Sequence, residues 1–129
     1  MKKNIIIIAL VFILPVIAYA IMSKGHTVEA AKIVEGQPQV IKFSSKLCSD
    51  CQKLKVCFDE LKPNYQDRIS IIEYDIENND KNVNEAIDKY NITLVPTVIF
   101  IDKNGNQKHK TEGFVKKEKL DSYFKDLLK

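Results

Sequence analysis

The chain has 129 residues, 45% of them hydrophobic and 29% charged, a balance that suits a folded globular protein and excludes a disordered one. Its net charge of +3 comes from interspersed Lys, Asp and Glu with no dense basic stripe, so nucleic acid is not an expected partner. Three cysteines are too few for a disulfide scaffold, and two of them stand at redox spacing.

Lys2 and Lys3 precede an uncharged stretch from Asn4 to Ser23, which Lys24 ends. As a helix, the apolar residues Ile5 to Met22 span roughly 27 Å, close to the hydrocarbon thickness of a bilayer. The same residues fit a cleaved signal peptide, with Pro15 breaking the helix and Ala18-Tyr19-Ala20 as a cleavage site before Ile21. Residues 1–24 are therefore expected to be a signal anchor or a signal peptide. The two leading lysines favour a domain outside the cell membrane, tethered or secreted, where a cysteine pair meets disulfide chemistry.

Thr27 to Glu35 suits a short helix, with Thr27 as N-cap and Gly36 as its stop. After Pro38, the β-branched run Gln39 to Ser44 reads as a buried strand. Cys48 onward reads as a helix to about Lys62, with Cys51, Leu54, Phe58 and Leu61 at helical spacing and Pro63 closing it. Arg68 to Asp75 is a second strand. Asn82 to Tyr90 is a helix that places Val83, Ala86, Ile87 and Tyr90 on one face. Thr97 to Ile101 is a third strand, and Asp102-Lys103-Asn104-Gly105 turns the chain into a fourth near Gln107 to Thr111. Leu120, Tyr123, Phe124, Leu127 and Leu128 give an amphipathic closing helix. A helix after each of the first two strands implies a parallel pair, and the hairpin adds antiparallel strands. The fold class is α/β, with a central mixed four-stranded sheet covered by helices on both faces.

The chemistry gathers where the first strand delivers the chain to Cys48 and a helix begins. Unpaired N–H groups and the partial positive charge of a helix start stabilise a thiolate there. Cys51 lies about one turn further on, so the two sulfurs share a face. Cys48 is then the exposed attacking thiol and Cys51 the buried resolving one. Zinc sites use the same spacing, but a second cysteine pair is missing, and His26 and His109 stand in flanking segments as ordinary surface residues. Val95-Pro96-Thr97 precedes the third strand. Its plain reading is a strand boundary; a cis bond before Pro96 would expose the Val95 backbone beside Cys48 to an extended peptide.

Taken together, strand-Cys48-x-x-Cys51-helix, Lys89-Tyr90-Asn91-Ile92 followed by Val95-Pro96-Thr97, the Lys103-Asn104-Gly105 hairpin and Gly113 before the last helix resemble the thioredoxin family. The resemblance covers residues 27–129, and the lysine-start, single-span version looks like membrane-tethered bacterial thioredoxins. It implies a thioredoxin-like three-layer α/β/α sandwich, a cis Pro96, and a substrate groove flanked by Val95, Pro96 and the loop at Gly113 and Phe114. It also implies exchange of disulfides with protein substrates by a monomer without a bound cofactor. The partners would be envelope or secreted proteins carrying disulfides or dithiols, and a membrane redox donor or acceptor.

The sequence also departs from the family's pattern. Leu47 replaces the tryptophan usual before the first cysteine, at the groove's edge, and Ser49-Asp50 replaces Gly-Pro between the cysteines. Asp50 opposes the helix end at Cys48, with Lys46 and Lys53 opposing Asp50 in turn. No histidine stands between the cysteines as in oxidants, which favours a reducing role. Lys42 occupies the place of a buried aspartate that serves the resolving thiol's proton in most thioredoxins, and Glu73 falls near that of the accompanying lysine. The expectation is an ion pair with exchanged members, Glu73 or a water moving the proton; the alternative is two surface residues. Cys57 lies roughly 9 Å along the helix from Cys51, too far for a disulfide, and reads as a small core residue. Two other functions remain open: a Cu(I)-handling dithiol of the same fold with His109 as added ligand, and a non-catalytic adaptor.

Overall fold

The computed structural model describes residues 11–17 and 36–129. The chain divides into two units, Met1–Lys32 and Ile33–Lys129. In the first, residues 11–17 are helical and their apolar side chains, Phe12 and Leu14 among them, are largely exposed. Among the described residues, no helix is long and apolar enough to cross a membrane. The expected helix over Thr27 to Glu35, both ends of the apolar stretch and His26 lie outside the described residues.

The second unit runs β1 (Gln39–Ser44), α1 (Ser49–Tyr65), β2 (Ser70–Asp75), α2 (Lys81–Lys89), β3 (Thr97–Ile101), β4 (Gln107–Glu112) and α3 (Lys117–Leu127). The sheet order is β2-β1-β3-β4. β1 and β2 are parallel, joined by the α1 crossover, whereas β3 is antiparallel to both β1 and β4. The two central strands are buried on both faces, as double coverage demands, while edge strand β4 carries Lys108 and Lys110.

Alternation along β1 sorts the core. Val40 joins Leu54, Phe58, Leu61 and Tyr65 of α1 and Leu120, Phe124 and Leu127 of α3 in one cluster with Val98 and Phe100 of β3. On the opposite face Phe43 stacks on Tyr74 and packs against Tyr90 at the end of α2, whose Val83 and Ala86 are buried. The hairpin closes around Asp102, whose carboxylate accepts the Asn104 and Asn106 N–H groups at 2.9 Å, with Gly105 at φ +84°.

Several boundaries differ from expectation, and three of them have a clear local cause. Pro63 does not end α1, which continues to Tyr65. Proline removes only the donor to the Asp59 carbonyl, which lies on the solvent side, while buried Tyr65 stacks on Phe124 at 4.7 Å and fastens the last turn. β2 starts at Ser70 instead of Arg68, because the Arg68 and Ile69 N–H groups both bond the Tyr65 carbonyl, at 2.9 Å. α2 begins one residue early because Asp80 caps it, accepting the Val83 N–H at 2.9 Å.

Candidate active site

Cys48 is the N-cap of α1, with extended backbone (φ −89°, ψ 120°), and its sulfur accepts the Cys51 N–H at 3.2 Å. The side chain thus occupies the place where a helix presents unpaired donors and partial positive charge. The Cys48 thiol is half-exposed and donates toward the Val95 carbonyl, at 3.7 Å. Cys51 faces inward and is 4% exposed. Burial and the hydrogen bond with Cys48 push its thiol up to about 11, against the pull of the Ser45 backbone and the Lys42 charge. One sulfur is reachable and the other is held behind it, protonated at neutral pH.

The link from β1 to Cys48 is fastened by groups that spacing alone does not reveal. Ser45 Oγ donates to Glu77, and the Leu47 N–H bonds Ser45 Oγ at 3.1 Å and Glu77 at 3.3 Å. Leu47 itself is 91% exposed. Asp50 pairs with Lys53 at 3.2 Å, but Lys46 turns to Asp75, at 3.3 Å, and so does not oppose Asp50.

Across from the cysteines, the Val95–Pro96 bond is cis. Pro96 is fully buried and its carbonyl accepts the Gly113 N–H at 2.8 Å, so Val95, half-buried, carries the reachable backbone. Gly113 has φ +82°, a conformation glycine adopts freely. Leu94 and Phe114, each beside one of these residues, are exposed at 45% and 43%. With Leu47 they add an apolar rim, to which Leu94 had given no sequence signal.

Lys42 and Glu73 are register partners on β1 and β2, and Lys42 Nζ lies 2.6 Å from Glu73. Lys42 is 2% exposed. Glu73 also accepts from Lys62 of α1 at 2.8 Å. Burial works to raise the Glu73 carboxyl, but hydrogen bonds from the two lysines outweigh it and hold the carboxyl below its ordinary value. Lys62 is a member of this cluster that sequence spacing did not single out.

His109 is not an ordinary surface residue. It is half-buried, packs on Tyr123 with ring centroids 4.4 Å apart, and its Nε2 lies 2.9 Å from Asp126. It sits opposite Phe100, which pairs with Val40 toward the start of β1, whereas Cys48 follows the other end of that strand. The structure therefore does not bring His109 to the cysteine pair. Among the described residues, no group of three or more His, Cys, Asp or Glu side chains converges as a metal site. Cys57 is half-buried and packs against the core cluster.

The sequence model of the Thioredoxin family matches residues 22–126. The thioredoxin of Rickettsia prowazekii is 30% identical over 83 residues, covering 64% of this chain and 74% of that protein. The thiol:disulfide interchange protein TxlA of Synechococcus elongatus is 24% identical over 115 residues, 80% of this chain and 59% of that protein. The crystal structure of oxidised thioredoxin O2 from Arabidopsis thaliana superposes with a TM-score of 0.60 and 30% identity, over 73% of this chain and 77% of that one. Since the family match takes in both cysteines, Val95-Pro96 and nearly all of the closing helix, the chain belongs to the thioredoxin family of thiol–disulfide oxidoreductases.

Proposed function

We propose that this protein is an exported or membrane-tethered reductant of protein disulfides. The carrying observation is the placement of Cys48, a half-exposed sulfur at a helix start with the Val95 carbonyl 3.7 Å away and a buried thiol one turn behind. The Cys48 thiolate attacks one sulfur of a substrate disulfide, forming a mixed disulfide and releasing the other sulfur as a thiolate. Cys51 then attacks Cys48, closing the Cys48–Cys51 disulfide and freeing the second substrate sulfur. Two electrons pass to the substrate.

Direction follows from which redox state the site stabilises. A strong oxidant stabilises its reduced form through a favoured thiolate. Here the pair is separated by Ser49 and Asp50, no histidine stands between, and burial keeps Cys51 protonated. The dithiol gains little, so the disulfide forms readily and electrons leave. Export is supported by Lys2 and Lys3 before the uncharged run to Ser23 and by the exposed apolar side chains of residues 11–17. Interchange with protein disulfides also fits the name of the Synechococcus relative.

Turnover of insulin disulfides by the full chain tests the activity, with Cys48→Ser and Cys51→Ser as inactive controls. A reductant has a Cys48–Cys51 potential near about −270 mV; a value near about −120 mV would reverse the direction. Labelling of Cys48 in intact cells by a membrane-impermeant maleimide tests its location.

A further inference from the structure

Lys42 is a buried cation that the exchange steps above leave unused. It projects from β1 on the face of Val40, toward the inward side of α1, with Nζ 4.7 Å from the centroid of the Phe58 ring. Cys51 lies on that same inward side, two turns ahead of Phe58. Desolvating a lysine is costly unless it is paired, and Glu73 supplies the pair. But Glu73 is shared with Lys62, so two ammonium groups face one carboxylate and the cluster keeps an excess positive charge. Lys42 is its deeply buried member.

The geometry points to Lys42 as a positioning residue for the resolving step: its ammonium, fixed by Glu73, stabilises the Cys51 thiolate as that thiolate forms beside the mixed disulfide. The inference rests on Cys48 and Cys51 being the exchanging pair. The Cys51 proton leaves to water, the Cys51 thiolate displaces the substrate sulfur from Cys48, and the released substrate thiolate takes up a proton from solvent. The charged or titratable groups facing Cys51 are Cys48 at the helix start, Lys42 of β1 and, through Lys42, Glu73 of β2 with Lys62. The side chains that β3 and α3 contribute to the cluster around Phe58, the ring under Lys42, include Val98, Leu120 and Phe124, which carry no charge.

Glu73 as the proton acceptor fits less well. Its carboxyl is held below its ordinary value by the two lysines while burial pushes the thiol up, so the transfer from Cys51 to Glu73 runs steeply uphill. A nearby cation, in contrast, lowers the cost of the thiolate whichever group removes the proton.

The test follows the reaction of the reduced full chain, in a Cys57→Ala background, with an aromatic disulfide whose thiolate is coloured. The first equivalent released reports Cys48 and the second reports Cys51. Lys42→Met keeps the packing on Phe58 and removes the charge. The slow phase is expected to fall about tenfold at neutral pH, with its pH midpoint moved upward, and Lys42→Arg is expected to keep the original midpoint. Under the acceptor reading, Lys42→Met would free Glu73 to be a better base. An unmoved or lowered midpoint therefore overturns the proposal, as does an equal shift in Lys42→Arg. Should Lys42→Met not fold, Glu73→Gln, which removes the carboxylate and leaves Lys42 and Lys62 uncompensated, is expected to move the midpoint downward; an unmoved or raised midpoint there also overturns the proposal. A parent protein that never releases the second equivalent would instead refute the cysteine pair itself.

Discussion

Two sulfurs one turn apart behave differently because one caps a helix and the other lies under it. Cys48 can be reached and Cys51 cannot, at 4% exposure. Cys51→Ser is therefore expected to trap protein substrates as Cys48 mixed disulfides, visible as adducts on non-reducing gels, while Cys48→Ser traps none. Equal trapping by the two variants would remove the division of labour. Gly113 gives a second prediction. Nothing lies within 4 Å of where its Cβ would be, so Gly113→Ala meets no clash and bears only the strain of φ +82°. The expected loss is about 1 kcal/mol in urea unfolding. The pair Lys42–Glu73 was legible before folding, because one strand alternation and one register bring the two together. Lys62, Glu77 and the His109–Asp126 contact were not, since each needs a helix or loop to be laid across a strand whose sequence carries no trace of it.

At the scale of elements, periodicity revealed the strands and helices of the described domain, and the ends were set by individual hydrogen bonds. Pro63 shows why. A proline reads as a stop, yet in the last turn it removes one donor only, and the anchor at Tyr65 decides the outcome. Tyr65 donates to Asp121 at 2.5 Å, tying the end of α1 to α3, and Lys125 also holds that carboxylate, at 2.5 Å. Burial and the bond to Asp121 push the Tyr65 phenol up to about 12, so it is a donor at all ordinary pH values. Tyr65→Phe keeps the stacking on Phe124 and is expected to cost about 1.5 kcal/mol, because the lost bond is to a charged group. An unchanged urea midpoint would show that α1 is held by packing alone. The groove side of the site was legible for the same reason as the strands: Val95-Pro96 and Gly113 stand at element ends, where sequence punctuation is strongest. Burial of Pro96 was not, nor was the bond from the Gly113 N–H to its carbonyl, since both depend on segments distant in the chain.

For the whole molecule, redox state and stability are linked through Cys51. In the reduced protein its folded thiol is pushed from about 9 to about 11, so the folded state keeps a proton that the unfolded chain gives up. Below pH 9 both states hold the proton and stability is unaffected. As pH rises from 9 through 11, the unfolded state is progressively favoured, and the reduced protein loses stability. The Cys48–Cys51 disulfide has no thiol proton at Cys51, so the oxidised protein escapes this loss. Tyr65 titrates in both forms and cancels in the comparison. The gap in unfolding free energy between oxidised and reduced protein is therefore expected to widen by about 2–3 kcal/mol between pH 8 and pH 11. Urea unfolding of both forms across that range measures it. A gap that stays constant would mean that Cys51 is as hydrated in the folded chain as in the unfolded one, and the distinction between an attacking and a sheltered sulfur would lose its physical basis.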